Sequence, residues 1–371
     1  MLHKSHKLPA LLLSGAMLLS FNSCGLMEMR DSYVETEEAE ATTSQMLAPA
    51  ERVHQVIERP ESETAPVSIE NTELKVVLTG NIRMDSGILK DAAARAYDGQ
   101  SYSFLTMYTG LYGSIHGAEL AMMSCSTADH LEDQADLHPP VESLAALSEL
   151  GADILDTTGC GDVKASLTKQ GLTGFCASDG SFALAEAEGV KFAFASVEGD
   201  VDNWEREIVE KAADASDIVI VSVIWDENVS YDAMTGIAWD LAAAGADVIA
   251  GRGNGLGTAA WLDTGDGTRT LAAYSLGNVL ATSGKTSELL GGVLSFTVKD
   301  KVIEDVVLDP TFTHYTAEYR DYQVFRAATY SDELAANHAN SGVYTSVLSD
   351  IVRGVVPEEF LPADYRLNTN N

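Results

Sequence analysis

The side chains able to do chemistry in this chain stand at the ends of apolar runs. Asp226 and Glu227 follow the run at 217–224, and Asp162 follows the run at 153–157. Carboxylates from two strand ends would offer hard oxygen ligands to a divalent cation. Neighbours on an extended chain point to opposite faces, so Asp226 and Glu227 equally suit a solvated loop. Arg252 lies in the glycine-rich stretch Gly251-Arg252-Gly253-Asn254-Gly255. Its planar fork matches a carboxylate or phosphate of a ligand, or one of the chain's own acids. Residues 253–257, GNGLG, have the look of a phosphate cradle, but no Lys follows and no helix start is evident. Asn278 follows Gly277 and suits the capping of backbone groups as well as ligand contact.

The elements that must position these residues alternate in type. Strand patterns cover 74–82, 119–123, 153–157, 191–196, 217–224, 247–250, 270–274, 292–299 and 301–307. Helical patterns cover 91–97, 139–150, 165–170, 204–213, 232–244 and 333–348, several closed by a glycine such as Gly151, Gly171 or Gly245. Strands alternating with helices, then a strand-rich end, predict an α/β protein with a mixed sheet flanked by helices. The aromatic stretch 315–330, with Tyr319, Tyr322 and Phe325, is expected to pack the end of the chain on that sheet.

Composition narrows the function classes. The 371 residues carry 56 acidic and 23 basic side chains, a formal net charge of -33. Nucleic-acid affinity rests on Lys and Arg neutralising phosphates, so that partner is excluded. The excess suits a solvated acidic surface, or affinity for cations or a basic partner. Residues 1–24 place Lys4 and Lys7 before an apolar run at 8–21 that is short for a membrane span and ends at Ser23-Cys24. This is similar to a bacterial lipoprotein signal with Cys24 as the lipidated residue, although Phe21 stands where that pattern prefers an aliphatic residue. An ordinary secretory signal and a retained anchor helix are the other readings, and all three place the protein outside the cytoplasm, the first with a lipid anchor to the membrane. Residues 25–73, rich in Glu, Thr, Ser, Ala and Pro, read as a disordered acidic linker. A globular part at 74–310 and an extension at 311–371 follow. With Cys24 set aside, Cys125, Cys160 and Cys176 are odd in number, so at least one thiol is unpaired within the chain.

The order LKVVLTGNIRM, AEGVKFAFASVEGD, DIVIVSVIW, GADVIAG and AYSLGN resembles the CapA-like family of capsule (poly-gamma-glutamate) synthesis proteins. The resemblance covers residues 74–300. It implies a layered metallophosphatase-like fold, with central mixed sheets flanked by helices and a metal-type site at strand ends. The family's site residues are replaced throughout. Its Gly-Asp after the first strand is Gly80-Asn81 here, and its Asn-x-Glu is Ser124-Cys125-Ser126. Its Asn-Asn-His is Gly159-Cys160-Gly161, and its His-Trp-Gly is Ile224-Trp225-Asp226. Its Gly-x-His-Pro-His is Gly251-Arg252-Gly253-Asn254-Gly255, and only Ser275-Leu276-Gly277-Asn278 stands whole.

By resemblance, Asn81, Ser126, Cys160, Asp162, Trp225, Asp226, Glu227, Arg252, Asn254 and Asn278 line the degenerate pocket. Trp225 there either stacks on a ligand or packs the core. Cys125 and Cys160 would fall close together, as a disulfide, a soft-metal pair or unpaired small hydrophobes. A divalent site needs imidazoles, carboxylates or carbonyls converging at about 2.0–2.6 Å. Gly253 and Gly255 have no side chain, and no His occupies a matched position. The expectation is a non-catalytic envelope accessory, without a cofactor, that binds an anionic polymer or scaffolds capsule or poly-gamma-glutamate synthesis components. The alternative is a phosphoesterase-like hydrolase or polymer-processing enzyme whose acids have rebuilt a cation site.

Overall fold

A computed structural model describes residues 54–57, 73–127, 139–199, 203–226, 228–265 and 267–367. Cys24, the signal segment and Glu227 lie outside the described residues. The strands, in chain order, are β1 His54–Ile57, β2 Glu73–Met84, β3 Leu120–Thr127, β4 Ile154–Asp156, β5 Thr173–Phe175, β6 Phe182–Ala187, β7 Val190–Glu198 and β8 Ile218–Ile224. There follow β9 Val248–Arg252, β10 Ala259–Asp263, β11 Arg269–Ala273, β12 Asn278–Leu280, β13 Leu290–Lys299, β14 Val302–His314 and β15 Gln323–Arg326. The α-helices are α1 Ser86–Ala94, α2 Tyr112–Ile115, α3 Val141–Leu150, α4 Lys164–Lys169, α5 Asn203–Ala215, α6 Tyr231–Ala243, α7 Asp332–Ala336, α8 Thr345–Val355 and α9 Ala363–Leu367.

These strands form two mixed sheets. One runs β15-β14-β13-β2-β3-β4-β5, with β12 added beside β2, and the other runs β1-β6-β7-β8-β9-β11-β10. Strand alternation sends successive side chains to opposite faces, and the second sheet is apolar on both. Phe192, Phe194, Ile218, Ile220, Val248 and Leu271 share a buried cluster with Leu74, Val76 and Leu78 of the first sheet. The alternate residues Ala193, Ala195, Val219, Val221 and Ile249 pack instead with Ile208, Val209 and Ala212 of α5 and Leu241 of α6. The result is the layered α/β architecture with mixed sheets flanked by helices that the alternating pattern predicts.

Local chemistry sets the helix ends. Asp85 caps α1 by accepting from Gly87 N and Ile88 N, which starts that helix five residues before the predicted 91–97 segment. Ser230 caps α6 through Ala233 N. Gly151 closes α3 in the left-handed conformation, with φ 110°.

Three stretches differ from expectation. Within the predicted linker 25–73, residues His54–Ile57 form a strand parallel to β6. The predicted helix 333–348 is two helices, α7 and α8. His338 breaks the run because its ring is drawn inward between Phe312 and Tyr315, and Gly342 turns the chain at φ 89°. β14 runs unbroken through residue 310 and pairs with β15. Part of the expected extension 311–371 therefore completes the first sheet.

Candidate functional site

Parallel strands of both sheets end in one place. β2, β3 and β4 are mutually parallel in one sheet, and β7, β8 and β9 in the other. Ligand sites in such sheets lie outside the carboxyl ends of the strands. Asp156, the last residue of β4, is fully buried there. Its Oδ1 accepts from Thr158 N at 3.0 Å and Thr158 Oγ1 at 2.7 Å. Its Oδ2 accepts from Ser222 Oγ at 2.6 Å, Ser196 Oγ at 3.3 Å and Arg252 Nη1 at 2.9 Å. Ser196 shares strand parity with Phe192 and Phe194, and Ser222 with Ile218 and Ile220. Both hydroxyls therefore face the gap between the sheets.

Arg252 ends β9, and its side chain is only 8 % exposed. Its Nη2 donates to Asn81 Oδ1 at 3.1 Å and to the carbonyls of Cys125 and Thr158, each at 3.3 Å. Among the described residues its Nε has no partner. Asn81 Nδ2 continues the network to Ser126 Oγ at 2.8 Å and Asn278 Oδ1 at 3.5 Å. Asn278 Nδ2 donates to Glu288 O at 3.0 Å. One guanidinium thus ties β2, β3 and β4 of one sheet to β9 of the other. Removing one member of such a buried pair costs about 3–5 kcal/mol, since the other charge is left uncompensated.

Close backbone approach makes this convergence possible. A Cβ on Gly80 would collide with the carbonyl oxygen of Leu276, and one on Gly251 with the carbonyl oxygen of Tyr274 and with Trp225 Nε1. The turn at 275–278 is locked to the glycine-rich loop. Ser275 Oγ donates to Gly255 O at 2.6 Å, and Leu276 N donates to Gly251 O at 2.8 Å.

Of the residues singled out in the sequence, Asn81, Ser126, Arg252 and Asn278 come together in this network. Arg252's carboxylate partner is the chain's own Asp156. Cys160 lies beside it, with its Sγ 2.7 Å from Cys125 Sγ, and both residues are buried. The hydrogen bond with Cys125 and burial together hold the Cys160 thiol well above the ordinary range. Trp225 packs in the helix-side core and donates its indole N–H to Tyr274 O. Asp162 and Asp226 are exposed, and Asn254 is exposed with only its carbonyl near Asn278. Sequence reasoning missed Asp156, Thr158, Ser196 and Ser222. The available signal was polar residues ending apolar strands on the inter-sheet parity.

The donor set does not fit the metal the resemblance implies. Among the described residues no group of three or more His, Cys, Asp or Glu side chains is placed to hold an ion. Asn81 and Asp156 spend oxygen lone pairs on Arg252. A scan against protein-family models finds no match for this chain, and a search of curated proteins finds none either.

Proposed function

We propose that this protein is a non-catalytic accessory of the cell envelope, of the capsule or poly-gamma-glutamate synthesis type, which binds or scaffolds an anionic polymer. The observation that carries the non-catalytic part is the Arg252 guanidinium bonded to Asn81 and Asp156 at the strand ends. The guanidinium fills the strand-end position a cation would take, and its hydrogen bonds draw on the Asn81 and Asp156 oxygen lone pairs that such a cation would need. A general base needs a titratable group within hydrogen-bond reach of the reacting proton. Among the described residues no histidine bonds to this network, and Asp156 has both oxygens engaged.

The envelope part rests on Lys4, Lys7, the apolar run at 8–21 and Cys24. The capsule part rests on the order of motifs between residues 74 and 300, together with the glycines Gly80 and Gly251 that the strand-end geometry requires.

The deciding experiment titrates the full chain with manganese, zinc, magnesium and calcium against a chelator control. Hydrolysis of p-nitrophenyl phosphate is followed in parallel. No stoichiometric ion and no turnover are expected. Metal-dependent turnover would replace this reading with the hydrolase. Radiolabelled palmitate should enter the chain in bacteria and be lost in Cys24→Ala; labelling that survives that change removes the anchor at Cys24.

A further inference from the structure

Beside the Arg252 network, a cavity of about 590 Å³ opens between the start of α1 and the turn before β15. That volume is in the range of small-molecule sites. We infer that this cavity binds an acidic ligand through its carboxylates, using Arg83, Lys90 and Arg320. The inference stands on the cavity and not on the envelope reading above.

The three cations come from separate elements. Arg83 is two residues beyond Asn81 on β2, Lys90 is on α1, and Arg320 is on the turn. Among the described residues none of the three side chains has a hydrogen-bond or ion-pair partner. Elsewhere in this acidic chain Arg95, Arg252, Lys285, Lys299, Lys301 and Arg326 are each paired with a carboxylate. Glu288 senses Arg83, but its oxygens are engaged by Ser283 and Lys285.

The acids lining the cavity are mostly committed elsewhere. Asp85 accepts from Gly87 N, Ile88 N and both Thr282 N and Thr282 Oγ1. Asp91 pairs with Arg95 and accepts from Asp321 N and Tyr322 N. Among the described residues lining the cavity, Glu318 is the one acid left uncommitted, against three cations.

Two features select the ligand. The first-turn amides of α1, which would cradle a phosphate, are already taken by Asp85. Recognition is left to side chains, with Lys90 as a point charge and two guanidinium forks that pair bidentately with a carboxylate as they would with a phosphate lacking its backbone cradle. Tyr319 adds an exposed aromatic wall, stacked on Tyr315, which in turn stacks on Tyr322. The turn is built rigidly. Tyr319 and Asp321 hold positive φ of 54° and 59°, costly for non-glycine residues, and Asp91 pins the backbone that follows. Arg320 is therefore presented by an ordered turn, which lowers the ordering cost of binding.

The test is fluorescence anisotropy of a labelled hexaglutamate peptide titrated with the full chain. The chain's net charge of -33 opposes non-specific capture of this peptide, so binding reports a local site. The triple variant Arg83→Gln/Lys90→Gln/Arg320→Gln should lose at least about 10-fold in affinity. The control Lys169→Gln/Lys191→Gln should stay within about two-fold of the parent. In the parent chain, saturating peptide should slow acylation of Lys90 by an amine reagent, a readout that needs no variant. Three outcomes overturn the proposal: no binding up to about 1 mM, equal loss in the control, or Lys90 labelled at the same rate with and without peptide. Displacement by inorganic phosphate at lower concentration than by unlabelled hexaglutamate overturns the carboxylate assignment.

Discussion

Arg252 and Asp156, 96 residues apart in sequence, form a buried ion pair at 2.9 Å that joins the carboxyl ends of β9 and β4 across the two sheets. Arg252→Leu strands Asp156 and should destabilise the protein by about 3–5 kcal/mol in urea unfolding. The double change Arg252→Leu/Asp156→Leu should recover most of that loss. A single variant costing less than about 1 kcal/mol would show that the pair does not hold the strand ends together.

Cys125 and Cys160 approach to 2.7 Å between sulfurs, one two residues before the end of β3 and the other after β4. In an oxidising compartment the two thiols should give up two protons and two electrons to a disulfide-class oxidant and form one S–S bond. Closing a loop of this length adds about 3–4 kcal/mol. Alkylation of the oxidised, unfolded chain should spare these two residues and label Cys176. Complete labelling of all three before reduction would sink the expectation.

Acid should destabilise the protein through His338. Burial holds its pKa near 4, below the ordinary 6.5, with the Thr313 carbonyl and His314 as facing groups. Below pH 6.5 the unfolded chain binds the proton first, so this stability is present above that pH and is lost as pH falls towards 4. The melting temperature of His338→Gln should depend less steeply on pH across that window. A slope unchanged from the parent would assign the acid sensitivity elsewhere.

Asp247 carries the opposite sign. Burial raises its pKa to about 6, while Val219 N donates to it. Its contribution is full below pH 3.8 and is lost as pH rises through 6. Asp247→Asn keeps an acceptor for Val219 N and removes a charge that is partly buried, so it should raise the melting temperature at pH 7.5. A lower value there would contradict the assignment.

Gly251→Ala should be among the most damaging small substitutions, because its Cβ would overlap the backbone of Tyr274 and the Trp225 indole. Forced overpacking costs about 1–3 kcal/mol. Gly253→Ala, whose Cβ would come 2.9 Å from the Ser275 hydroxyl and would meet no backbone atom of another segment, should cost less. Equal effects in thermal melts would remove the special role of Gly251.

The sequence by itself determined the layered α/β class. Continuous β-branched runs such as Ile218–Ile224, too short for a helix, read as strands buried on both faces. The helical pattern likewise placed α5, and the pattern with its Gly245 stop placed α6, within two residues. It also determined that no His stands among residues 139–313, since identity alone decides that. Tertiary structure decided what the strand ends hold instead. Asp156 read as an ordinary strand residue, and Arg252 as a loop cation with many possible partners. Their pairing depends on stacking two sheets so that Ser196, Ser222 and Asn81 converge, a relation between distant segments that local periodicity does not encode. The split of the 333–348 helix has the same origin. The burial of His338 against Phe312 and Tyr315 adds to the weak helical propensity of Asn340-Ser341-Gly342, where Gly342 turns the chain at φ 89°.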